Sequence, residues 1–203
     1  MTDRPRAEDG AEARRVLAES RAWVERAVIG LNLCPFARAA EARGRIRYVH
    51  CASRDSEVLL ERLRAEMRRL AETDPATHET TLIVHPHVLQ DFLDYNDFLD
   101  RAEDALDALG YAGTLQIASF HPDYQFAGTA PDDPANATNR SPYPTLHLLR
   151  EDSVGRAVEA FPEAEAIYER NIETMERLGK EGWDALRQAC REDARRAVEG
   201  GAD

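Results

Sequence analysis

The chain lacks several features that would place it in a familiar class of protein. No stretch approaches the apolar length needed to span a bilayer, and no charged-then-apolar signal segment opens it. We therefore expect a cytoplasmic protein with no membrane partner. Lysine and arginine number 26 against 38 aspartates and glutamates, and the formal net charge is -12. This shortage of basic residues argues against nucleic acid as a general partner.

Cysteine is scarce, and the common catalytic motifs are missing. The three cysteines are widely spaced and form no CxxC pair, so free thiols in a reducing compartment are the simplest interpretation. The motifs GxGxxG, GxxxxGK[ST], GxSxG and HExxH are absent. Their absence weakens the dinucleotide-binding, P-loop, α/β-hydrolase and zincin classes.

Strand and helix patterns alternate along the 203 residues and predict one α/β domain over residues 11–198, with flexible tails at 1–10 and 199–203. The predicted strands are Arg45–Cys51, Thr80–Val84, Leu115–Phe120 and Thr145–Leu149. The predicted helices are 11–29, 56–73, 88–109, 153–161, 163–178 and 183–198.

The order of these elements predicts the topology of the sheet. Helices between the first three strands predict right-handed crossovers, and hence a small mixed, mostly parallel four-stranded sheet with flanking helices. The fourth strand lacks an intervening helix, which allows it to run antiparallel. The residues between the third and fourth strands, 121–144, have no regular period but carry aromatic side chains. We expect a long ordered loop there, at the carboxyl edge of the sheet.

Histidines follow two of the predicted strands. His85 and His87 come after the second strand, and His121 comes after the third. Carboxyl ends of parallel strands share the edge where open α/β sheets bind ligands. One hypothesis makes His121 and His85 acid–base groups, with Asp123 orienting them. A second makes His85, His87 and His121 ligands of a divalent metal such as zinc. In a third, the histidines are partly buried and bond only to the loop.

Cys34 is a further catalytic candidate. It stands directly before a proline in LNLCPFA, the position of an N-cap for a short helix through Phe36–Ala42. Helix amides lower the pKa of a thiol, which would make Cys34 a nucleophile or a ligand. The alternative is that this apolar neighbourhood buries an inert thiol.

The loop contains a candidate anion site. Arg140 is its only basic residue, and a guanidinium among amide and hydroxyl groups suits a carboxylate or phosphate. The predicted ligand-binding residues are Arg140, Asn139, Tyr124 and Gln125. The alternative is a loop held by its own hydrogen bonds, with Arg140 paired to Asp132 or Asp133.

Several segments together resemble a known family. WVERAVIGLNLCPFA, HPDYQF and NRSPYP are similar to segments of an uncharacterised family of small bacterial proteins, classed as a domain of unknown function. The resemblance implies a single compact domain and gives no information about a substrate.

The residues predict an enzyme that acts on a small anionic metabolite with histidines at the sheet edge, with or without a metal. The alternatives are a non-catalytic protein that binds a metal or small ligand at the same edge, and an interaction scaffold. The sequence leaves the oligomeric state open.

Overall fold

The computed structural model describes residues 7–159 and 167–200, which form a mixed α/β fold. The strands are β1 (Ile46–His50), β2 (Thr80–Val84), β3 (Leu115–Phe120) and β4 (Thr145–Arg150). The helices are α1 (Ala7–Trp23), α2 (Ala37–Ala42), α3 (Ser56–Glu72), α4 (Phe92–Ala108), α5 (Glu151–Glu159) and α6 (Ile167–Gly200), with a π-helical segment (Val24–Ile29) after α1 and a 3-10 helix (Pro134–Asn139) before β4.

The four strands form one sheet in the order β1-β2-β4-β3. Only the β1–β2 pairing is parallel, whereas β4 runs antiparallel to both β2 and β3. The expectation of a mostly parallel sheet is therefore wrong. No crossover helix separates β3 from β4, so β4 returns directly between β3 and β2. As a result, β1, β2 and β3 still run in one direction, and their carboxyl ends share one edge.

Helices cover both faces of the sheet. On the first face, Ile83 and Leu146 pack against α3 and α4 in the larger core cluster. On the second face, Leu82 and Phe120 pack with α1, the π-helical segment and α6. Because side chains alternate along a strand, β2 needs apolar residues at successive positions to serve both faces. All five residues of Thr80–Val84 are buried, as its apolar run predicts.

Several helix boundaries differ from the prediction. Helix α1 already begins at Ala7 and α6 continues to Gly200, so both extend past the expected domain limits. The rest of the two predicted tails lies outside the described residues. Helix α4 begins at Phe92 rather than at residue 88, with Asp91 as its N-cap. The physical reason is Leu89, whose φ of +56° lies in the left-handed region and cannot continue a helix.

Helix α6 contains one break. Gly179 has φ 65° and ψ 177°, a conformation that glycine adopts without the Cβ clash of other residues. The two predicted helices at 163–178 and 183–198 are the two halves of α6, while residues 160–166 lie outside the described part. Among the helices that the structure describes, none is both long and apolar enough to cross a membrane.

Candidate functional site

Two of the predicted catalytic histidines meet at the carboxyl edge of the sheet. His85 follows β2 and His121 follows β3, and Tyr95 of α4 contacts both rings. The ring centroid of Tyr95 lies 5.8 Å from that of His85 and 5.1 Å from that of His121. All three side chains are 0% exposed. We call these three residues the edge cluster.

Backbone groups hold both imidazoles in place. The Nδ1 atom of His85 lies 3.0 Å from the carbonyl oxygen of Val88. In His121, Nε2 lies 3.3 Å from the carbonyl oxygen of Leu89, and Nδ1 accepts a hydrogen bond of 3.0 Å from the amide of Asp123. These partners make Nε2 of His121 the protonated nitrogen, so both of its ring nitrogens are engaged.

These contacts do not fit the predicted zinc site. Metal ligation needs a free imidazole lone pair, and that of His121 is taken by the amide of Asp123. His87 lies away from the pair, with Nε2 at 3.0 Å from a carboxylate oxygen of Glu12 on α1. Within residues 7–159 and 167–200, no group of three or more His, Cys, Asp or Glu side chains is placed to hold a metal ion.

The environment of the edge cluster favours neutral histidines. Burial lowers the pKa of His85 to about 4, and it also lowers the pKa of His121. Asp123 is exposed and contacts His121 through its backbone amide. This arrangement resembles the third hypothesis, in which the histidines bond to the loop. An acid–base role for His121 and His85 stays a prediction, and it would require the edge cluster to open to a substrate.

The sequence interpretation assigned no role to Tyr95, which joins two strands at this edge. Its hydroxyl donates to the carbonyl oxygen of Thr145 at 2.8 Å and accepts from the amide of Phe120 at 3.2 Å. The sequence does contain a signal for this role: Tyr95 lies in the apolar stripe of a predicted helix, and a buried tyrosine hydroxyl requires a hydrogen-bond partner.

The predicted ligand-binding residues mainly hold the loop itself. Asn139 donates from Nδ2 to the carbonyl oxygen of Ser119 at 3.2 Å, and Gln125 donates from Nε2 to that of Thr129 at 2.6 Å. Tyr124 packs its ring against Phe126, with 5.0 Å between the centroids.

Arg140 is fixed by the same loop. Its Nε donates to the carbonyl oxygen of Tyr124 at 3.1 Å and its Nη2 to that of Pro131 at 2.7 Å. It forms no ion pair with Asp132, Asp133 or any other carboxylate of the described residues. The guanidinium is therefore positioned by neutral carbonyls, and the nearby charge of Asp123 acts on it without a direct ion pair.

Asn136 is a second residue that the sequence interpretation missed. It is 0% exposed, and its Oδ1 accepts from the amide of Phe126 and from the hydroxyl of Thr129, both at 2.9 Å. Its Nδ2 donates to the carbonyl oxygen of Ala130 at 2.8 Å. One buried amide thus closes the loop by three hydrogen bonds, which explains why a segment without helical or strand period has a defined conformation.

A large cavity lies against the second face of the sheet, away from the edge cluster. Its volume is about 430 Å³. Leu82 and Phe120 form part of its floor, and Val24, Val28 and Phe36 form part of its roof. The polar or ionisable residues that border the cavity are Cys34, Arg43, Glu79, Thr80, Gln116, His147, Arg150 and Ser153. A mainly apolar concavity with a few polar groups is the usual form of a small-molecule site.

His147 provides the most specific polar group of this cavity. Thr80 Oγ1 lies 2.6 Å from the carbonyl oxygen of Leu148 and 2.5 Å from Nε2 of His147. A hydroxyl has one proton, and the carbonyl can only accept it, so Nε2 of His147 must donate to Thr80. This leaves Nδ1 as the acceptor. Burial lowers the pKa of His147 to about 4, so the ring is neutral near pH 7.

Cys34 lines the same cavity, but its environment differs from the prediction. Helix α2 begins at Ala37 with Phe36 as its N-cap, so Cys34 lies before the cap. Burial raises the pKa of the thiol, and the amides of Phe36 and Ala37 lower it by less. This environment favours the alternative of an inert, buried thiol, because desolvation outweighs the helix amides. A role of Cys34 as nucleophile or ligand stays a prediction.

We expect slow alkylation of Cys34 by iodoacetamide at neutral pH. The thiolate is the reactive form, and the raised pKa makes it rarer than in an unstructured peptide, so the rate should fall well below that of the unfolded protein. Mass spectrometry of timed reactions measures it, and the same protein in urea is the control in which all three cysteines react. Alkylation of Cys34 in the folded protein at the rate found in urea would contradict this expectation.

The fold and the cavity together define a mixed α/β protein with a small-molecule-sized cavity against one face of its sheet. A family model described as "Protein of unknown function (DUF1415)" matches residues 15–185, and the chain belongs to this family. No curated protein and no solved structure matches the chain.

Proposed function

We propose that this protein binds a small, largely apolar molecule in the cavity on the second face of its sheet. The observation that carries the proposal is the combination of an apolar space of about 430 Å³ with His147, a neutral hydrogen-bond acceptor at its floor. Binding sites for small molecules usually occupy some 300–1,000 Å³ and use a few polar atoms to fix orientation.

The cavity walls favour a ligand of particular chemistry. The uncharged Nδ1 of His147 is suited to a hydroxyl or N–H donor on the ligand, since it has no partner among the described residues. The apolar side chains around it would bury the body of the ligand and exclude water. Arg43 lies exposed at the rim, where it can face an anionic end of the ligand that reaches solvent.

The proposed role is binding, and the proposed location is the cytoplasm. Cys34, Cys51 and Cys190 are all free thiols, which is typical of proteins in a reducing compartment. The raised pKa of Cys34 does not favour a nucleophilic enzyme in this cavity. The predicted acid–base pair at the sheet edge, His85 and His121, is 0% exposed, which does not favour catalysis there.

The fluorescent probe 1-anilinonaphthalene-8-sulfonate tests the proposal, since it combines apolar rings, an N–H donor and a sulfonate. We expect saturable binding with increased fluorescence, and about tenfold or more loss of affinity in Ala118→Phe. Ala118 lines the cavity and pairs with His147 across β3 and β4, so a phenyl ring there occupies the ligand space.

The matched control is Ala185→Phe, the same change at an exposed position of α6 outside the cavity. It should bind the probe as the parent protein does, and circular dichroism should show that both variants are folded. Equal probe affinity in the parent protein and in folded Ala118→Phe would place the probe elsewhere and reject the cavity as the binding site.

A further inference from the structure

A small cleft lies where the loop at 121–144 meets the second half of α6. Its volume is about 30 Å³, and three arginines border it: Arg140 from the loop, and Arg187 and Arg191 from α6. Trp23 and Trp183 contribute apolar walls. This space suits one small charged group, with the remainder of any ligand in solvent.

Hydrogen bonds to the loop fix the position of Arg140 on one side of the cleft. Two of its nitrogens, Nε and Nη2, donate to the carbonyl oxygens of Tyr124 and Pro131. Its third nitrogen, Nη1, makes no hydrogen bond with the described residues. A guanidinium fixed in this way loses little side-chain entropy when it binds an anion.

Arg187 and Arg191 lie one helical turn apart on the other side. Neither forms an ion pair with a carboxylate of the described residues, and Arg191 has only a long contact, Nε to Oε1 of Gln188 at 3.4 Å. Burial lowers the pKa of Arg140, Asp123 opposes this, and the positive charge of Arg187 lowers the pKa further. Arg140 and Arg187 are therefore close enough to repel each other.

One carboxylate also borders the cleft. Glu19 accepts a hydrogen bond from the hydroxyl of Tyr143 at 2.9 Å and forms no ion pair with the three arginines. The residues that line the cleft thus carry three positive charges and one negative charge, in a chain whose net charge is -12. Outside the lining, Asp123 interacts with Arg140, and Asp184 interacts with Arg187 and Arg191. Converging like charges are unfavourable unless an anion neutralises them.

We propose that this cleft binds a phosphate group, which Arg140 holds from the loop while Arg187 and Arg191 close on it from α6. The site shares Trp23 with the ligand cavity, but none of its three arginines lines that cavity, so the proposal does not depend on the proposed function. Three guanidinium groups match the charge and the several acceptor oxygens of a phosphate better than those of a single carboxylate. The group can belong to free inorganic phosphate or to a phosphorylated molecule.

Tryptophan fluorescence gives a direct measurement, because both tryptophans of the chain line the cleft. We expect a saturable change when inorganic phosphate is added at constant ionic strength, and no such change with chloride. Methyl phosphate in place of inorganic phosphate distinguishes the sources: tighter binding of the ester assigns the site to a phosphorylated molecule, and tighter binding of inorganic phosphate assigns it to the free ion. Acetate binding as tight as phosphate would overturn the assignment to phosphate.

The double variant Arg187→Gln/Arg191→Gln should weaken phosphate binding about tenfold or more, since it removes two charge-assisted contacts. Both residues are exposed, so the fold should be unaffected. The control Arg177→Gln removes one charge from an exposed position on the first half of α6 and should bind as the parent does. Parent-like affinity in the double variant, or no saturable change in the parent protein, would overturn the proposal.

Discussion

Acidification from pH 7 to 5 is expected to lower the free energy of unfolding by about 2 kcal/mol through His85 alone. Burial places the pKa of His85 at about 4 in the folded protein, against an ordinary value near 6.5 in the unfolded chain. Well above pH 6.5 neither the folded nor the unfolded state binds the proton, so His85 has no effect on stability there. Between pH 6.5 and 4 the unfolded chain binds a proton at His85 that the folded protein does not bind, so the free energy of unfolding falls.

Three other histidines act in the same direction. The pKa of His147 is lowered to about 4, and those of His121 and His78 are lowered too, each chiefly by burial. The observed loss should therefore exceed the contribution of His85. Below pH 4 the folded protein also binds the proton at His85, and this contribution stops growing.

Urea unfolding at pH 7 and pH 5 measures this effect, with His85→Gln as the comparison. The glutamine cannot take a proton in this range, so the variant should lose about 2 kcal/mol less than the parent over the same interval, whatever its stability at pH 7. The interval ends at pH 5 because carboxylates titrate below it. An identical loss in both proteins would show that His85 is not buried in its neutral form.

Tyr95→Phe should destabilise the protein by about 2 kcal/mol. The substitution removes only a hydroxyl, but that hydroxyl joins the end of β3 to the start of β4 through Phe120 and Thr145. Tyr95 is 0% exposed, so water cannot replace the lost partner. The effect should be local to the carboxyl edge, where both strands meet the edge cluster.

The matched control is Tyr168→Phe, the same chemical change at a side chain that is 57% exposed. Its free energy of unfolding should stay within about 0.5 kcal/mol of the parent value. Hydrogen exchange locates the destabilisation: amides near Phe120 and Thr145 should exchange faster in Tyr95→Phe and not in Tyr168→Phe. Equal stability of the two variants would contradict a structural role for the Tyr95 hydroxyl.

Local sequence patterns determined where the strands lie. Thr80–Val84 and Leu115–Phe120 have the predicted limits, because an apolar run between turn residues leaves few alternative boundaries. The shared direction of β1, β2 and β3 could also be predicted, since helices between them enforce crossovers, and it brings His85 and His121 to one edge. The match to a family of unknown function is likewise a property of the sequence alone.

The tertiary structure decided the contacts of the side chains at the carboxyl edge of the sheet. The sequence shows His121 beside polar residues, but it does not show that Leu89 and Asp123 satisfy both ring nitrogens. Likewise, the position of Cys34 before a proline suggests an activated thiol, whereas burial sets its pKa. Desolvation depends on what packs around a group, and residues distant in the chain supply most of that packing.

The cavity and the arginine cleft arise only from long-range packing. Residues near Cys34 meet His147 across the second face of the sheet, and Arg140 meets Arg187 across the junction of the loop with α6. Periodicity and motif spacing report local conformation and the face on which a side chain lies. They do not report which distant surfaces are brought together, because that depends on strand order and helix packing. In this protein, the position of β4 between β2 and β3 is part of that strand order.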